Sequence, residues 1–376
     1  MPYTWIEVSK SSLLRNLAQY KKFIGPHNIL APVIKANGYG HGMQHIASIC
    51  QESPHVDWLC LALLSDALVL RKQGVTKPIF ILGHIDVDPV LAINQNIDLL
   101  VHDMQTAQTL NTIGKAHTYT FNVHIKIDTG LSRLGILPAE AIGTIKKIQQ
   151  MPHIAIRGIY SHLAESQLED DTFTQQQLQT FNSILEQLKN EHIHIPLKHI
   201  ANTAAATRFF SDRYNFFRVG AGMYGLWPSP TVKKITLERD PLFTLQPILT
   251  WKTRIMHVKK LKAGSFVGYN RTHQLMQDST IAVIPIGYYD GYDIRYSNRG
   301  VVKIHDTYAP IIGRVCMNHT IINISNISDV HIGTLVTLMS DDQEINPYRF
   351  AQFTGNNNVR EVLTNIYPHI ERTIVL

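Results

Sequence analysis

The sequence predicts an α/β protein: a (β/α)8 TIM barrel followed by a mainly β C-terminal domain. Three observations predict it. Strand-like and helix-like segments alternate up to about residue 220, with eight candidate strands among them. Beyond about Pro228 helical spacing fades, and short apolar runs separated by turn residues take over. At 376 residues the chain also exceeds the usual reach of one hydrophobic core, so two domains are expected.

Thr4–Val8 alternates as a short strand, and Ser9–Lys22 carries a helical spacing through Leu13, Leu14, Leu17 and Tyr20. The eight candidate strands are Asn28–Ile34, Trp58–Ala62, Ile79–Leu82, Ile97–Val101, Asn122–Ile127, Ile154–Tyr160, His199–Ala201 and Phe217–Val219. Helices are expected between them at Met43–Gln51, Ser65–Gln73, Met104–Thr112, Ala139–Gln150 and Thr172–Asn190. Alternation of this kind builds parallel βαβ units; a doubly wound open sheet satisfies the same pattern, because periodicity does not establish closure. In the second half, Pro247–Lys259, Thr280–Gly287, Val301–His305, Ala309–Cys316, Thr320–Ile324 and Thr334–Met339 read as strands, with a helix near Asn346–Gly355. No low-complexity linker separates the halves, which are divided as 9–238 and 239–376.

Hydrophobic residues make up 44% and charged residues 17%, a globular composition with a substantial core. The net charge of +6 is modest and no Lys/Arg-rich tract accompanies it, which argues against nucleic acid as a partner. Cys50, Cys60 and Cys316 are too few and too scattered for a disulfide framework or a clustered zinc site. The N-terminal segment has an early charge and no long apolar run, so neither a signal peptide nor a membrane span is expected. A cytoplasmic, reduced setting follows as the expectation.

The chemistry centres on Ala31-Pro-Val-Ile-Lys-Ala-Asn-Gly-Tyr-Gly-His-Gly42, an apolar run that delivers Lys35 to its carboxyl end before a glycine-rich turn. A desolvated lysine amine is suited to Schiff-base chemistry, and Gly38, Gly40 and Gly42 would let backbone N–H groups approach an anion. In a barrel, chemistry sits on the loops after the strands. There, Lys126 and Asp128 share a strand face and Arg133 follows, which an ion pair at the barrel mouth would also explain. His162 follows the sixth strand as a site residue or a satisfied core histidine. Asn202 and Thr203 read as a helix N-cap. Gly220 and Ala221 follow Arg218 with backbone donors near a turn, in the loops where barrels often bind phosphate.

Lys35-Ala-Asn-Gly-Tyr-Gly-His-Gly42 closely resembles the pyridoxal-phosphate attachment segment of the alanine racemases, with Gly38 where that family usually has alanine. Lys126-Ile-Asp-Thr-Gly-Leu-Ser-Arg-Leu-Gly135 resembles the family's Lys-x-Asp-Thr-Gly-x-x-Arg-x-Gly signature, and motifs in both halves follow in order. The resemblance implies pyridoxal 5'-phosphate held by Lys35, Tyr39, His162, Asn202, Thr203, Gly220, Ala221 and, at the pyridine nitrogen, Arg218. It implies an amino-acid substrate bound by Arg133, with Lys126 carbamylated beside it. It also implies a homodimer with shared active sites and a role in making D-alanine for peptidoglycan.

Lys262-Ala-Gly-Ser-Phe-Val-Gly-Tyr-Asn270 resembles the segment that carries the catalytic tyrosine, here Tyr269, although a tyrosine in a β-turn is also an ordinary structural feature. Ile284-Pro-Ile-Gly-Tyr-Tyr-Asp-Gly291 resembles the family's Gly-Tyr-x-Asp-Gly region, which implies Tyr288 at the substrate entrance, and Gly313-Arg-Val-Cys-Met-Asn318 resembles the segment whose methionine, here Met317, lies against the substrate carboxylate. By the same resemblance the Thr4–Val8 strand joins the β domain. Three positions depart from the family: Asn318 replaces an aspartate, Tyr289 a small residue, and Arg360 a tyrosine that touches phosphate, a cofactor contact the arginine is expected to keep. Related readings are a barrel decarboxylase of basic amino acids, a broad-specificity amino-acid racemase and a non-catalytic cofactor carrier. Met317-Asn318 after Cys316 speaks against the first. The broad-specificity racemases resemble secreted forms with signal peptides, and a carrier leaves Tyr269 unexplained.

Overall fold

The computed structural model describes residues 3–355 and 358–376. Nineteen strands run through these described residues. β1 is Thr4–Ser9, and the barrel strands are β2 Ile29–Pro32, β3 Leu59–Leu63, β4 Ile79–His84, β5 Ile97–Val101, β6 Phe121–Lys126, β7 Ile154–Tyr160, β8 Leu197–His199 and β9 Phe216–Val219. Strands β3 to β8 pair in sequence order, and β2 pairs with β9, all parallel. The Val33–Cys60 bridge and the Ile34 N–H to Cys60 C=O bond (2.9 Å) join β2 to β3, and Asn215 N–H to Lys198 C=O (3.1 Å) joins β8 to the start of β9. The eight strands therefore close into a barrel, and the open sheet is excluded.

Helices follow the strands as the 3.6-residue spacing predicts, among them Lys10–Ile24, Met43–Glu52, Leu64–Lys72, Met104–His117, Ala141–Gln149 and Thr172–Asn190. In the last of these, Leu178, Phe181, Ile184, Leu185 and Leu188 form the buried stripe.

The remaining strands are β10 Leu249–Arg254, β11 His257–Leu261, β12 Phe266–Val267, β13 His273–Gln274, β14 Ser279–Ile284, β15 Val301–Ile304, β16 Thr307–Pro310, β17 Thr320–Asn323, β18 Leu335–Met339 and β19 Glu371–Val375. One sheet runs β16-β15-β18-β10-β1-β19 and another β11-β14-β17. The single strand expected at Pro247–Lys259 is two strands, because the chain changes sheets. The Ile255 amide bonds Thr334 beside β18, and the Met256 amide bonds Val283 on β14. The strand expected at Ala309–Cys316 ends at Pro310, since Gly313 turns to φ +73° under the Val267 carbonyl. Several short elements escaped the sequence reading, among them the helices Pro230–Arg239 and Val359–Thr364 and strands β12, β13 and β19.

By mutual contact the described residues form two compact units. One holds Leu13–Lys35 and Ile46–Leu245; the other holds the chain up to Ser12, the segment Ala36–His45 and everything from Gln246 onward. The Lys35-containing motif is thus divided between them, immediately after the lysine.

Candidate active site

The barrel strands bring Lys35, Lys126, Arg218 and His162 to their carboxyl ends, where β/α barrels do chemistry. Arg218 is buried, and its Nη2 donates to the carbonyls of Ser161 (2.8 Å) and Ile200 (3.2 Å). The same nitrogen lies 3.4 Å from His162 Nδ1, a long hydrogen bond in which the imidazole accepts. Burial holds His162 well below the usual histidine range, and the charges of Arg218, Arg133, Lys126 and Lys35 push in the same direction. The charges of four cations thus act on one neutral imidazole. Burial, then Arg133 and Arg218, lower the Lys126 amine to about 8, with Asp128 opposing and Lys35 assisting. Tyr160 lies near two of these cations, its ring 5.6 Å from Lys126 Nζ and 5.2 Å from the Arg218 guanidinium carbon.

Asp128 is occupied with its own loop, accepting from the amides of Gly130 and Ser132 at 3.0 Å each. Asn202 caps the short helix Thr203–Arg208 through the Ala205 amide (3.1 Å) and accepts from Ser166 Oγ (3.0 Å). The Gly220 amide, one of the expected anion donors, is spent on Thr203 Oγ1 at 2.9 Å. Ala221 opens the 3-10 turn Ala221–Tyr224, whose first amides have no partner within the turn.

Below this layer lies a buried polar chain that the sequence reading missed. Arg218 Nη1 meets His199 Nδ1 at 2.5 Å, and His199 Nε2 meets His124 Nδ1 at 2.8 Å. His124 Nε2 meets Asp98 Oδ2 at 3.1 Å, and Asp98 Oδ1 accepts from Arg157 at 3.1 Å. Asp98, His124 and His199 are fully buried. Arginine only donates and a carboxylate only accepts. Each neutral imidazole thus carries its proton on Nε2 and accepts at Nδ1. Gly158 leaves room for the His124 ring, whose Cε1 would lie 2.7 Å from an added Cβ. The signal for this chain was present: His124 lies two residues before Lys126 and shares its inward face.

The turn after Lys35 is left-handed over four consecutive residues, with φ of 52° at Ala36, 52° at Asn37, 60° at Gly38 and 54° at Tyr39. A side chain costs ~1–2 kcal/mol per residue in this region, and L-residues normally visit it singly. The expected anion cradle is not what the glycine amides form. Gly40 N–H bonds the Ala36 carbonyl (3.1 Å) and Gly42 N–H that of Asn37 (2.9 Å). Asn37 Oδ1 also accepts from the Met43 amide, and His41 Nδ1 lies 3.0 Å from both the Gly38 and Tyr39 carbonyls.

In the β unit, Tyr269, Tyr288 and Met317 are respectively 67%, 43% and 53% exposed on the single chain. Two of their segments are zipped together: Tyr288 N–H bonds Cys316 C=O and Tyr289 N–H bonds Met317 C=O, both at 3.0 Å. Gly268, before Tyr269, packs where an added Cβ would be 2.9 Å from the Arg314 amide, so the third segment adjoins them. Asn318 and Arg360 are exposed, and Arg360 Nε bonds Asn358 Oδ1 at 2.8 Å within the helix-entry turn.

Comparison with known proteins agrees with this arrangement. The family model for the alanine racemase N-terminal domain matches residues 8–228, and that for the alanine racemase C-terminal domain matches 248–374. An alanine racemase of Methanococcus maripaludis is 35% identical over 358 residues, covering 94% of each chain. Alanine racemase 1 of Clostridium acetobutylicum is 33% identical, covering 99% of this chain and 95% of its own. An alanine racemase structure from Clostridium difficile 630 superposes with a TM-score of 0.92 at 29% identity, over 100% of this chain and 96% of the other. A histidine racemase from Leuconostoc mesenteroides superposes at 0.89 with 26% identity, over 100% of this chain and 98% of its own.

Proposed function

Since the chain belongs to the alanine racemase family and is an alanine racemase, an isomerase, we propose that it inverts alanine with two bases, Lys35 and Tyr269 of the partner subunit. The observation that carries the reading is a set of cations at the strand ends, Lys35, Lys126 and Arg218, with Arg218 3.4 Å from a His162 that burial and these charges, with Arg133, keep neutral. So dense a positive field calls for anions, and a phosphorylated cofactor with a carboxylate substrate supplies them.

Pyridoxal 5'-phosphate fits these residues. Lys35 would hold it covalently, Tyr39, Thr203, Ala221 and Arg360 its phosphate, and Arg218 its ring nitrogen; Asn202 and Gly220 support that end through their hydrogen bonds to the 203–205 turn. When bound, the cofactor supplies the electron sink that makes the alanine Cα–H acidic. Arg218 is a buried donor at this position, and a permanent cation disfavours protonation of a nitrogen beside it. That tempers the sink and favours simple reprotonation over side reactions.

Inversion needs a proton removed on one face and returned on the other. Lys35 Nζ serves the D face, and Tyr269 Oη of the partner subunit serves the L face. A phenol has a pKa of ~10 in water, so Tyr269 of the partner subunit is helped by a relay through His162 to Arg218. Arg133 and Met317 seat the substrate carboxylate, Tyr288 borders the entrance, and a carbamate on Lys126 would orient Arg133 by a charge-assisted bond. The exposure of Tyr269, Tyr288 and Met317 on one chain supports a homodimer in which each β unit completes the partner's site. Among the described residues no helix is long and apolar enough to cross a membrane. The reading has the enzyme in the cytoplasm, making D-alanine for peptidoglycan.

Mixing two inactive forms tests the shared site. Lys35→Ala and Tyr269→Phe chains, unfolded and refolded together, should regain about a quarter of the parent activity, since half the dimers are mixed and each holds one intact site. No recovery, with mixed dimers confirmed by mass, would place both bases on one chain. Because a histidine racemase shares the fold, the same assay on L-histidine measures breadth.

A further inference from the structure

Arg372 is a buried arginine whose hydrogen-bond partners among the described residues are backbone carbonyls, with no carboxylate among them. Its Nε and Nη2 donate to the Gly40 carbonyl at 3.2 and 3.0 Å. Its Nη1 donates to Tyr367 (2.9 Å), Pro368 (3.0 Å) and Ile370, and Nη2 also reaches Ile366 (3.4 Å). One guanidinium thus binds the end of the left-handed turn to the chain at 366–370. The two segments also meet directly. A Cβ at Gly40 would collide with the Leu363 carbonyl, and one at Gly42 would lie 3.4 Å from Arg372 Cβ and Cγ.

A turn with Ala36, Asn37 and Tyr39 all at positive φ relaxes unless its surroundings over-determine it. Its internal hydrogen bonds supply part of that restraint. Arg372 supplies a planar, always-charged fork that matches several carbonyls at once, which a lysine cannot do. We propose that Arg372 is a positioning residue for the racemisation: it holds the strained turn that follows Lys35 and so sets the backbone from which that lysine acts. The proposal rests on Lys35 being the cofactor lysine.

The test is strain relief. Glycine adopts positive φ without penalty, so Ala36→Gly should compensate for loss of the clamp. In the full-length dimer, Arg372→Met should exchange the amides of 38–43 faster and weaken pyridoxal phosphate binding by roughly tenfold or more, read by absorbance. Adding Ala36→Gly should recover most of that affinity, while Ala36→Gly alone shifts it less than about twofold. Arg372→Lys, which keeps the charge but loses the fork, should behave like Arg372→Met and serves in its place if that variant does not fold. Unchanged exchange and affinity in Arg372→Met and Arg372→Lys would overturn the proposal. So would a loss that Ala36→Gly does not relieve. Borohydride reduction and peptide mapping of the unaltered protein separate the two claims. A label on another lysine defeats the Lys35 reading, whereas amide exchange at 38–43 still decides the clamp.

Discussion

Arg218 and His199 are joined inside the barrel by a 2.5 Å hydrogen bond from Nη1 to Nδ1. This bond fixes the polarity of everything behind it. Because Nδ1 accepts, the His199 proton is on Nε2, which donates to His124, which in turn donates to Asp98. Burial, with Arg218 and His124 adding to it, keeps His199 well below the usual histidine range, so its ring is neutral at neutral pH. Its role is to hold the guanidinium still. His199→Phe preserves ring volume but leaves Arg218 Nη1 and His124 Nδ1 without partners. It should cost about 2–6 kcal/mol, at ~1–3 per orphaned group, measured by denaturant unfolding. ¹⁵N spectra of histidine-labelled parent protein should show both rings as neutral Nε2–H tautomers.

Acid should unfold the protein from a histidine threshold. Burial lowers His41 to about 4, while its bonds to the Gly38 and Tyr39 carbonyls raise it and Arg372 lowers it further. A histidine neutral in the fold and titrating near 6.5 when unfolded binds more protons in the unfolded state between those values. Stability therefore falls as pH drops below about 6.5 toward about 4. His41 alone contributes a loss on the order of 3 kcal/mol across that window, at ~1.4 per pH unit. Thermal melts from pH 8 to 4 check it, and in His41→Gln the pH slope should be shallower by one proton.

Two glycines with the same φ of +86°, Gly40 and Gly74, separate conformational strain from collision. Nothing lies within 4 Å of a Cβ at Gly74, so Gly74→Ala should cost only the left-handed penalty of ~1–2 kcal/mol. Gly40→Ala adds the Leu363 carbonyl, a backbone group that does not yield, and should cost at least ~2 kcal/mol more. Paired melts of the two variants read the difference.

A carbamate on Lys126 forms only from the neutral amine. With that amine lowered to about 8, the neutral fraction is about half at pH 8 and near one per cent at pH 6. A ¹³C-bicarbonate signal should therefore strengthen from pH 6 to pH 9 and vanish in Lys126→Ala.

The barrel was legible because its strands are short apolar runs whose neighbouring helices repeat every 3.6 residues; Ile97–Val101, Ile154–Tyr160 and Thr172–Asn190 emerge at their expected limits. The β region was less so. Its strands change sheets at Ile255–Met256 and stop at Pro310 before the Gly313 turn, and both events depend on distant carbonyls rather than on local spacing. In the site, Lys35, Lys126, His162 and Arg218 are visible as polar residues at strand ends. Asp98 and His199 are not, because one lies in mid-strand and the other at the end of a three-residue strand. Only closure of the barrel shows that His124 joins them. The glycines of the 36–42 turn suggested outward-facing amides. The left-handed run turns the Gly40 and Gly42 amides inward instead, a consequence of backbone angles at Ala36 and Asn37 that no residue type announces.

The central claim is two-base inversion of alanine, and isotope exchange tests it most directly. Purified protein with pyridoxal phosphate and L-alanine in deuterated water should yield D-alanine carrying deuterium at Cα, abolished in Lys35→Ala. Tyr269→Phe should keep cofactor affinity but convert L-alanine roughly a hundredfold or more slowly. Full activity in Tyr269→Phe, or D-alanine formed by Lys35→Ala at the parent rate, would contradict the account.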